Sequence, residues 1–400
     1  MKKKKSKWTL HGQWDQKKQW KHSIYSMWQE IFADPEPFVD YYYKEMYSKN
    51  RVYTMWGEQE GEQTVSIQSV EQKEQEPTLC GMIHLNPYTM KVQSETMELD
   101  YIVGVAVDSN MRRNGIMRTM LNEVLKQMKE EGKPFTFLMP AKEAYYTPFD
   151  FRFGYERYVW KKAKETIVCE HKEKAERLYE FSMATNEEDY HDLEKFCQEF
   201  WSEFQIATVH TKDYFHMRRK ELEAEQGGMI LIQKDGKLCG YASYAMDGST
   251  RIFYELVTNE EPMSLLEEIN QWSPCKEWNV YFDWFHKLPK GLSLETIPTI
   301  MFRILDVEKL LSFVRASEAI TVHFALEDAI IQENNGIYRW QVDSEHSHIE
   351  KVEAEQSVDC VLTIAELAEI IFGYPKYKRE ERTPFQNVIP LSKIYISEIV

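Results

Sequence analysis

One stretch, residues 101–128 (YIVGVAVDSNMRRNGIMRTMLNEVLKQM), constrains the fold of this chain more than any other. It begins with an apolar run without polar alternation, which is typical of a strand buried on both faces of a sheet. The polar segment 108–110 then predicts a turn. Apolar residues after the turn recur at helical spacing and predict one buried face: Met117, Met120, Leu121, Val124, Leu125 and Met128. The stretch therefore predicts a strand, a tight turn and a helix that packs back on the sheet.

The turn between this strand and this helix carries Arg112, Arg113, Asn114 and Gly115. Such a turn directs several backbone N–H groups and the positive end of the helix dipole at one point, so it predicts an anion site. The glycine spacing argues against a nucleotide P-loop and against a dinucleotide fold, because it lacks Gly-x-x-x-x-Gly-Lys-Ser/Thr and Gly-x-Gly-x-x-Gly. A bland alternative stays open, since any strand–turn–helix can carry arginines and a glycine.

Composition predicts a folded protein of several domains. The chain has 400 residues, which is more than one hydrophobic core usually holds. Its hydrophobic content of 43% is typical of a folded protein. Its net charge of −16 disfavours nucleic-acid binding and would attract cationic small molecules. No apolar run follows the basic start, and none of about 20 residues occurs elsewhere, so we expect a cytoplasmic protein without membrane contact. The six scattered cysteines predict reduced thiols without a zinc site or disulfide framework.

Around the central stretch, the first part of the chain shows alternating helix and strand patterns. A helical pattern over 20–47 is broken at 34–37, and a polar loop or hairpin is expected at 58–77. Strands are predicted at 52–56, at 79–86 with Pro87 ending it, and at 135–139. Strand, helix, strand in this order predicts a right-handed crossover with the anion loop at the carboxyl end, where ligands bind in open α/β sheets.

The remaining chain shows two further patterns. Residues 168–288 repeat the first part weakly, with helices at 190–204, 214–224 and 263–272 and strands at 229–233, 238–245 and 251–257. The segment 258–262 is acidic and lacks glycine, so we expect this second copy to hold no pyrophosphate. From residue 291 onward, a helix with Leu310, Leu311 and Val314 precedes strands at 320–326, 337–342 and 358–362. A capping box at 363–366 then opens a helix that stops at Gly373.

The spacing Arg112-x-x-Gly115-x-Met117 resembles the acetyl-coenzyme A loop of GNAT acetyltransferases, Arg/Gln-x-x-Gly-x-Gly/Ala, although Met117 replaces the usual small residue. The string 112–120 resembles the Eis (enhanced intracellular survival) branch, which tolerates a bulky residue there. The last part resembles the sterol-carrier-like domain that stands third in Eis proteins. The resemblance implies an α/β (α+β) fold: a GNAT catalytic domain at 1–160, a degenerate GNAT-like domain at 161–290 and a sterol-carrier-like domain at 291–400.

The resemblance also implies how acetyl-CoA, the co-substrate, is held. Backbone at Val105, Ala106 and Val107 should bind the pantetheine like an added strand, and Ala141 with Lys142 should touch the cofactor beyond the next strand. The pyrophosphate should lie on the loop residues Arg113, Asn114, Gly115, Ile116, Met117 and Arg118. Only this loop is also supported by the anion-binding argument above.

Two catalytic residues are expected. Tyr146 with Asp150-Phe151 fits the spacing of the GNAT tyrosine that precedes Gly-Phe or Gly-Tyr, with Asp in place of Gly. A phenol beside the sulfur can protonate the departing thiolate, although a core tyrosine would show the same pattern. The apolar chain end predicts a tucked-in terminus, and a buried α-carboxylate is a better proton acceptor. The Eis resemblance implies the same general base, the terminal carboxylate of Val400.

We therefore expect an N-acetyltransferase that moves acetyl from acetyl-CoA to a primary amine of a cationic molecule, in a direct ternary-complex mechanism. The family resemblance implies an aminoglycoside or lysine-like amine and a hexamer. Aromatic and acidic residues near the first helix break (Trp28, Asp34 and Phe38) are candidate amine contacts, but a structural role suits each of them better. His84 is expected to be a core histidine, and no metal is expected at His346 and His348. The alternatives are a non-catalytic carrier that uses the last domain, and a peptide or protein N-acetyltransferase.

Overall fold

The structure is a computed structural model that describes residues 8–14, 20–59, 77–162, 178–288, 291–353, 357–373 and 384–398. Most of the loop predicted at 58–77 and the predicted base Val400 lie outside the described residues. The α-helices are α1 Lys21–Phe32, α2 Glu36–Tyr41, α3 Ile116–Glu130, α4 Glu143–Tyr146, α5 Glu187–Phe200, α6 Lys212–Ala224, α7 Pro262–Trp272, α8 Val307–Ser312 and α9 Ile364–Phe372.

The β-strands are distributed along the whole described chain. They are β1 Trp8–Trp14, β2 Arg51–Gln59, β3 Thr78–Val92, β4 Glu95–Val107, β5 Phe135–Leu138, β6 Arg152–Lys162, β7 Glu180–Met183, β8 Ile206–Thr208, β9 Gly228–Lys234, β10 Lys237–Asp247, β11 Thr250–Thr258, β12 Glu277–Phe282, β13 Glu295–Ile304, β14 Arg315–Ala316, β15 Ile320–Glu327, β16 Gly336–Val342, β17 Ser347–Val352, β18 Cys360–Thr363, β19 Val388–Ile389 and β20 Ile394–Tyr395. The mixed α/β class predicted from the sequence is confirmed.

The central stretch folds as predicted. β4 is followed by a 3-10 turn at Ser109–Met111, by α3 and by β5, which runs parallel to β4. The buried face of α3 differs from the prediction at two residues: Ile116 is buried, whereas Met117 is only half-buried. Since α3 begins at Ile116, its first side chain already faces the sheet.

Pro87 does not end its strand, contrary to the prediction. β3 continues to Val92, and Pro87 pairs with Asp100 of β4. The neighbouring strand β2 pairs with β3 only as far as Leu85, and β8 begins to pair at Met90. Pro87 therefore lies where one edge of β3 has no partner strand among the described residues, and a missing N–H there costs little.

The second part of the chain repeats the topology of the first. β10 and β11 are antiparallel, α7 follows β11, and β12 lies parallel to β11, as β3, β4, α3 and β5 do. Both units belong to one large sheet in the order β1-β2-β3-β4-β5-β13-β6-β12-β11-β10-β9-β7. β13, from the last part of the chain, lies between β5 and β6. This insertion was not predicted, because strand partners far apart in sequence leave no local pattern.

The last part forms a separate four-stranded sheet, β17-β16-β15-β18, with α9 after β18. The predicted capping box is present: Thr363 caps α9 and Glu366 reaches back to it. Gly373 ends the helix in the left-handed conformation at φ 65, as predicted. None of the helices in the described ranges is long and apolar enough to cross a membrane.

Candidate active site

β4 and β5 separate after a single point of contact, which leaves a cleft between them. Tyr101 and Phe137 form the only register pair of these two strands within the described residues. β4 continues to pair with β3 as far as Val107, and β5 pairs with β13 along its other edge from Phe135 to Leu138. Among the described residues, no strand pairs with the β5-facing edge of residues 105–107, which suits an extended group such as the predicted pantetheine.

A bulge in β4 lies beside this cleft. The register of β3 and β4 shifts between Met82 and His84, which face Ala106 and Val103, so β4 carries one extra residue. Gly104 adopts φ +57 there, and a Cβ on it would lie 2.5 Å from the Trp28 ring. Only glycine meets both demands.

The predicted anion loop is open and rich in backbone donors. Gly115, the N-cap of α3, has φ 81, and nothing lies within 4 Å of a Cβ built on it. Among the described residues, no side chain caps α3, so the N–H groups of its first turn remain available. Arg112, Arg113 and Asn114 are exposed beside them. The loop thus fits a diphosphate, with backbone donors and the helix dipole facing the same exposed surface.

The equivalent turn of the second unit is filled by the chain itself. Glu261 caps α7 by accepting hydrogen bonds from the N–H groups of Met263 and Ser264, at 3.1 and 2.7 Å. A carboxylate thus occupies the position that an anion would take in the first unit. That this second copy holds no pyrophosphate stays a prediction, and the Glu261 cap gives a physical reason for it.

Tyr146 is the last residue of α4. Its side chain is buried, and its ring packs edge-on against Phe151 at 5.9 Å. Burial raises the pKa of Tyr146 to about 12, so the phenol keeps its proton at neutral pH. Arg118 of α3 lies over the ring of Phe149 at 5.6 Å, which connects the anion helix to the turn that follows Tyr146. Ala141 and Lys142, which precede α4, are exposed.

Asp150 adopts the left-handed conformation that was expected where GNAT enzymes carry glycine, at φ 64. Its carboxylate lies 3.9 Å from Arg303 of β13. Arg303 is fully buried, donates to the Phe149 carbonyl at 2.8 Å and pairs with Asp328 at 2.7 Å. The last part of the chain therefore holds the turn after Tyr146 through one arginine.

The last described residues of the chain contact both the first and the second unit of the large sheet. Tyr395 and Ser397 both donate to Glu255 of β11 at 2.8 Å, and Trp284 donates to the Ile394 carbonyl at 2.9 Å. The Tyr101 hydroxyl donates to the Glu398 carbonyl at 3.2 Å. The described residues of the tail, up to Glu398, are thus held beside the point where β4 and β5 separate. The tucked-in tail that the sequence predicted is present up to this residue.

Glu398 is a functional candidate that the sequence did not single out. Its side chain is 4% exposed, and its Oε2 accepts a hydrogen bond from Thr208 at 2.9 Å. Within the described part of the chain, Oε1 has no hydrogen-bond partner. Burial, with repulsion from Glu255, raises the pKa of Glu398 to about 7. A lone glutamate near a chain end has no local pattern that separates it from a surface residue.

Glu225 and the two carboxylates that interact with it, Asp34 and Glu221, are called here the acidic wall; Glu221 also interacts with Tyr101. Burial raises the pKa of Glu225 to about 7, and repulsion from Glu221 and Asp34 adds to the shift. Asp34 accepts a hydrogen bond from the Trp28 indole at 2.9 Å, and Glu221 pairs with Arg218 at 2.7 Å. Asp34 lies between α1 and α2, whereas Glu221 and Glu225 belong to the C-terminal end of α6. From the sequence, α6 was expected to have only a structural role.

His84 is a core histidine, as predicted. It is fully buried, and burial lowers its pKa to about 3, so the ring is neutral. Its Nδ1 lies 3.1 Å from the Tyr42 hydroxyl, which donates to Asn86 at 2.9 Å.

Phe38, another candidate amine contact from the sequence, is also buried. In the described ranges, no group of three or more His, Cys, Asp or Glu side chains is placed to hold a metal ion.

Comparisons with known proteins agree with this geometry. Residues 16–156 match the family model described as an acetyltransferase (GNAT) domain, and residues 307–383 match a sterol carrier protein domain. No curated protein matches the sequence.

Three solved structures share the fold over nearly the whole chain. A conserved protein of unknown function from Enterococcus faecalis V583, a probable N-acyltransferase, has a TM-score of 0.72 at 13% identity and covers 96% of this chain and 94% of its own. A GCN5-related N-acetyltransferase from Anabaena variabilis ATCC 29413 has a TM-score of 0.70 at 15% identity, and the match covers 96% of each chain. Eis1 from Mycobacterium abscessus has a TM-score of 0.63 at 11% identity, and the match covers 96% of this chain and 94% of the Eis1 chain. The predicted acyl-CoA acetyltransferase and sterol-carrier domains are confirmed at this level.

Proposed function

We propose that this GNAT-type acetyltransferase moves the acetyl group of acetyl-CoA to a primary amine of a cationic small molecule. The observation that carries the proposal is the convergence at Tyr101. Its ring stacks on Phe137 at 5.1 Å, and its hydroxyl donates to the tail at Glu398. Burial raises the pKa of Tyr101, and the charges of nearby Glu398 and Tyr146 add to the shift. Tyr101 therefore connects the cleft to the described part of the tail, and its interaction with Tyr146 supports a site that includes this phenol.

Each proposed residue has one role in binding the cofactor or in transferring a proton. Amides of residues 113–118 bind the diphosphate, and the edge at 105–107 binds the pantetheine, so the thioester lies in the cleft, with Ala141 and Lys142 beside the cofactor. Tyr146 donates a proton to the thiolate as the carbon–sulfur bond breaks, which a phenol with a raised pKa can do at neutral pH. The terminal carboxylate of Val400 is proposed as the general base on the family resemblance alone.

The acidic wall supports a cationic acceptor. Two of its carboxylates repel the third, and a bound ammonium group would relieve that repulsion. The overall charge of −16 acts in the same direction at longer range. An aminoglycoside or a lysine-like amine has the required charge. Membership of the Eis branch, a cytoplasmic location and a hexameric assembly remain predictions of the resemblance.

The test is release of CoA thiol in the presence of a panel of amines. We expect release with aminoglycosides or lysine-like amines that exceeds acetyl-CoA hydrolysis alone, and acetylated product by mass spectrometry. Preference for peptide N-termini would favour the alternative acceptor. Binding of acetyl-CoA without turnover on any amine, or no binding at all, would favour the carrier function and contradict the proposal.

A further inference from the structure

The Glu398 carboxyl is half satisfied. Thr208 donates to Oε2, while Oε1 is buried and has no partner in the described residues. A buried carboxylate oxygen without a donor is costly, because it has lost its hydrogen bonds to water. Such an oxygen suits a ligand that brings its own donor. An ammonium group does so and also supplies the opposite charge.

The backbone of Glu398 lies beside the cleft. Its carbonyl accepts from the Tyr101 hydroxyl, and Tyr101 forms the pair with Phe137 beyond which β4 and β5 part. The residues just before it are fixed by Glu255 through Tyr395 and Ser397. The backbone of Glu398 is therefore fixed beside the cleft, and Thr208 fixes one oxygen of its carboxyl at 2.9 Å.

We propose that Glu398 binds the ammonium group of the acceptor and takes its first proton. This inference rests on the proposed function and assigns a step of it to a residue other than the terminal carboxylate.

The step balances with these two groups. The ammonium gives one proton to Oε1 of Glu398, and the free amine attacks the thioester carbonyl carbon. A carbon–nitrogen bond forms and the carbon–sulfur bond breaks. Tyr146 protonates the thiolate and is reprotonated by the second proton that the amine nitrogen loses. The products are the acetamide, CoA thiol and one proton, which Glu398 passes to solvent.

Among the described residues, titratable or charged groups of four elements interact with Glu398. They are Tyr88 of β3, Tyr101 of β4, Tyr214 and Arg218 of α6, and Glu255 of β11. Burial, with Glu255, raises the pKa of Glu398 to about 7, whereas its own backbone N–H, the Thr208 hydrogen bond and Arg218 act against that rise. A proton acceptor with a pKa near the working pH is suited to general base catalysis.

The experiment compares Glu398→Gln with the wild type and with Glu98→Gln, an exposed residue of β4. We expect kcat/KM of Glu398→Gln for the amine to fall about 10²-fold, while acetyl-CoA affinity and the circular dichroism spectrum stay unchanged. The wild-type rate should fall as the pH drops below about 7, following Glu398. The variant should lose this limb and instead rise with pH towards the pKa of the amine. Acceptors of lower pKa should rescue it more than they accelerate the wild type.

Two results would overturn the inference. Wild-type rates in Glu398→Gln would leave the proposed function intact, and the terminal carboxylate of Val400 would remain the proposed general base. A slow variant that keeps the wild-type acid limb would show that the proton goes elsewhere. If the wild type itself acetylates no amine, the proposed function fails and this inference fails with it.

Discussion

Tyr146 is the residue whose replacement separates chemistry from binding. We predict that Tyr146→Phe lowers kcat about 10²-fold, because the thiolate must leave without a proton. Acetyl-CoA affinity should change little, since the diphosphate is bound by backbone at 113–118. Single-turnover kinetics and calorimetry measure the two quantities. The matched control is Tyr145→Phe, whose side chain is 49% exposed and should not affect turnover. Equal kcat in both variants would exclude the acid role of Tyr146.

Glu398 also predicts a pH dependence of stability. Its pKa rises from 4.5 to about 7 on folding, so its contribution to stability is complete below pH 4.5 and is lost as the pH rises through 7. The loss amounts to about 3 kcal/mol. Gln does not ionise, so Glu398→Gln should be more stable than the wild type at pH 8 by up to this amount, and the gap should close towards pH 4.5. Urea unfolding across this range measures it, and a gap independent of pH would contradict the buried ionised state.

At the scale of elements, the anion loop depends on the backbone of Gly115. We predict that Gly115→Ala weakens acetyl-CoA binding by calorimetry, because φ +81 costs an L residue about 1–2 kcal/mol and the loop would relax to relieve it. Gly236→Ala is the matched control: it has φ +72 in the β9–β10 turn, and a Cβ there also meets nothing within 4 Å. Both should lose similar stability, but only Gly115→Ala should lose affinity. Equal affinities would remove the loop from cofactor binding.

Elements with strong local patterns could be predicted from the sequence, and those set by distant partners could not. The apolar pattern over 101–128 predicted β4 and α3, the apolar run at 135–139 predicted β5, and the Thr363–Glu366 pattern predicted the start of α9. Pro87 stays inside β3 because of where β2 and β8 stop, which no local pattern encodes. Similarly, the loop and Tyr146 have recognisable spacing, whereas the role of Glu398 depends on Thr208 and Tyr101, far away in sequence.

On the scale of the whole molecule, Arg303 ties the last part of the chain to the turn after Tyr146. We predict that Arg303→Met destabilises the protein by about 3–5 kcal/mol, because Asp328 would be left buried without its cation. It should also lower kcat, since the Phe149 carbonyl and Asp150 lose their contact. Thermal unfolding and steady-state kinetics check both effects.

Lys161→Met provides the control for Arg303→Met. Lys161 pairs with Glu295 across the same β6–β13 junction, but both side chains are more than half exposed, at 61% and 56%. Screening by water should leave stability and turnover nearly unchanged. If both variants behaved alike, the buried link between the two parts of the chain would not support the active site.

The central claim is that the turn at Gly115 holds a diphosphate and thereby places a thioester beside Tyr146 and the chain end. A crystal structure of the protein with acetyl-CoA tests it most directly. We predict diphosphate oxygens about 3 Å from the amide nitrogens of Gly115, Ile116 and Met117, with the sulfur within reach of the Tyr146 hydroxyl and the tail alongside. Acetyl-CoA bound elsewhere, or a Tyr146 hydroxyl far from both the sulfur and the tail, would contradict the account.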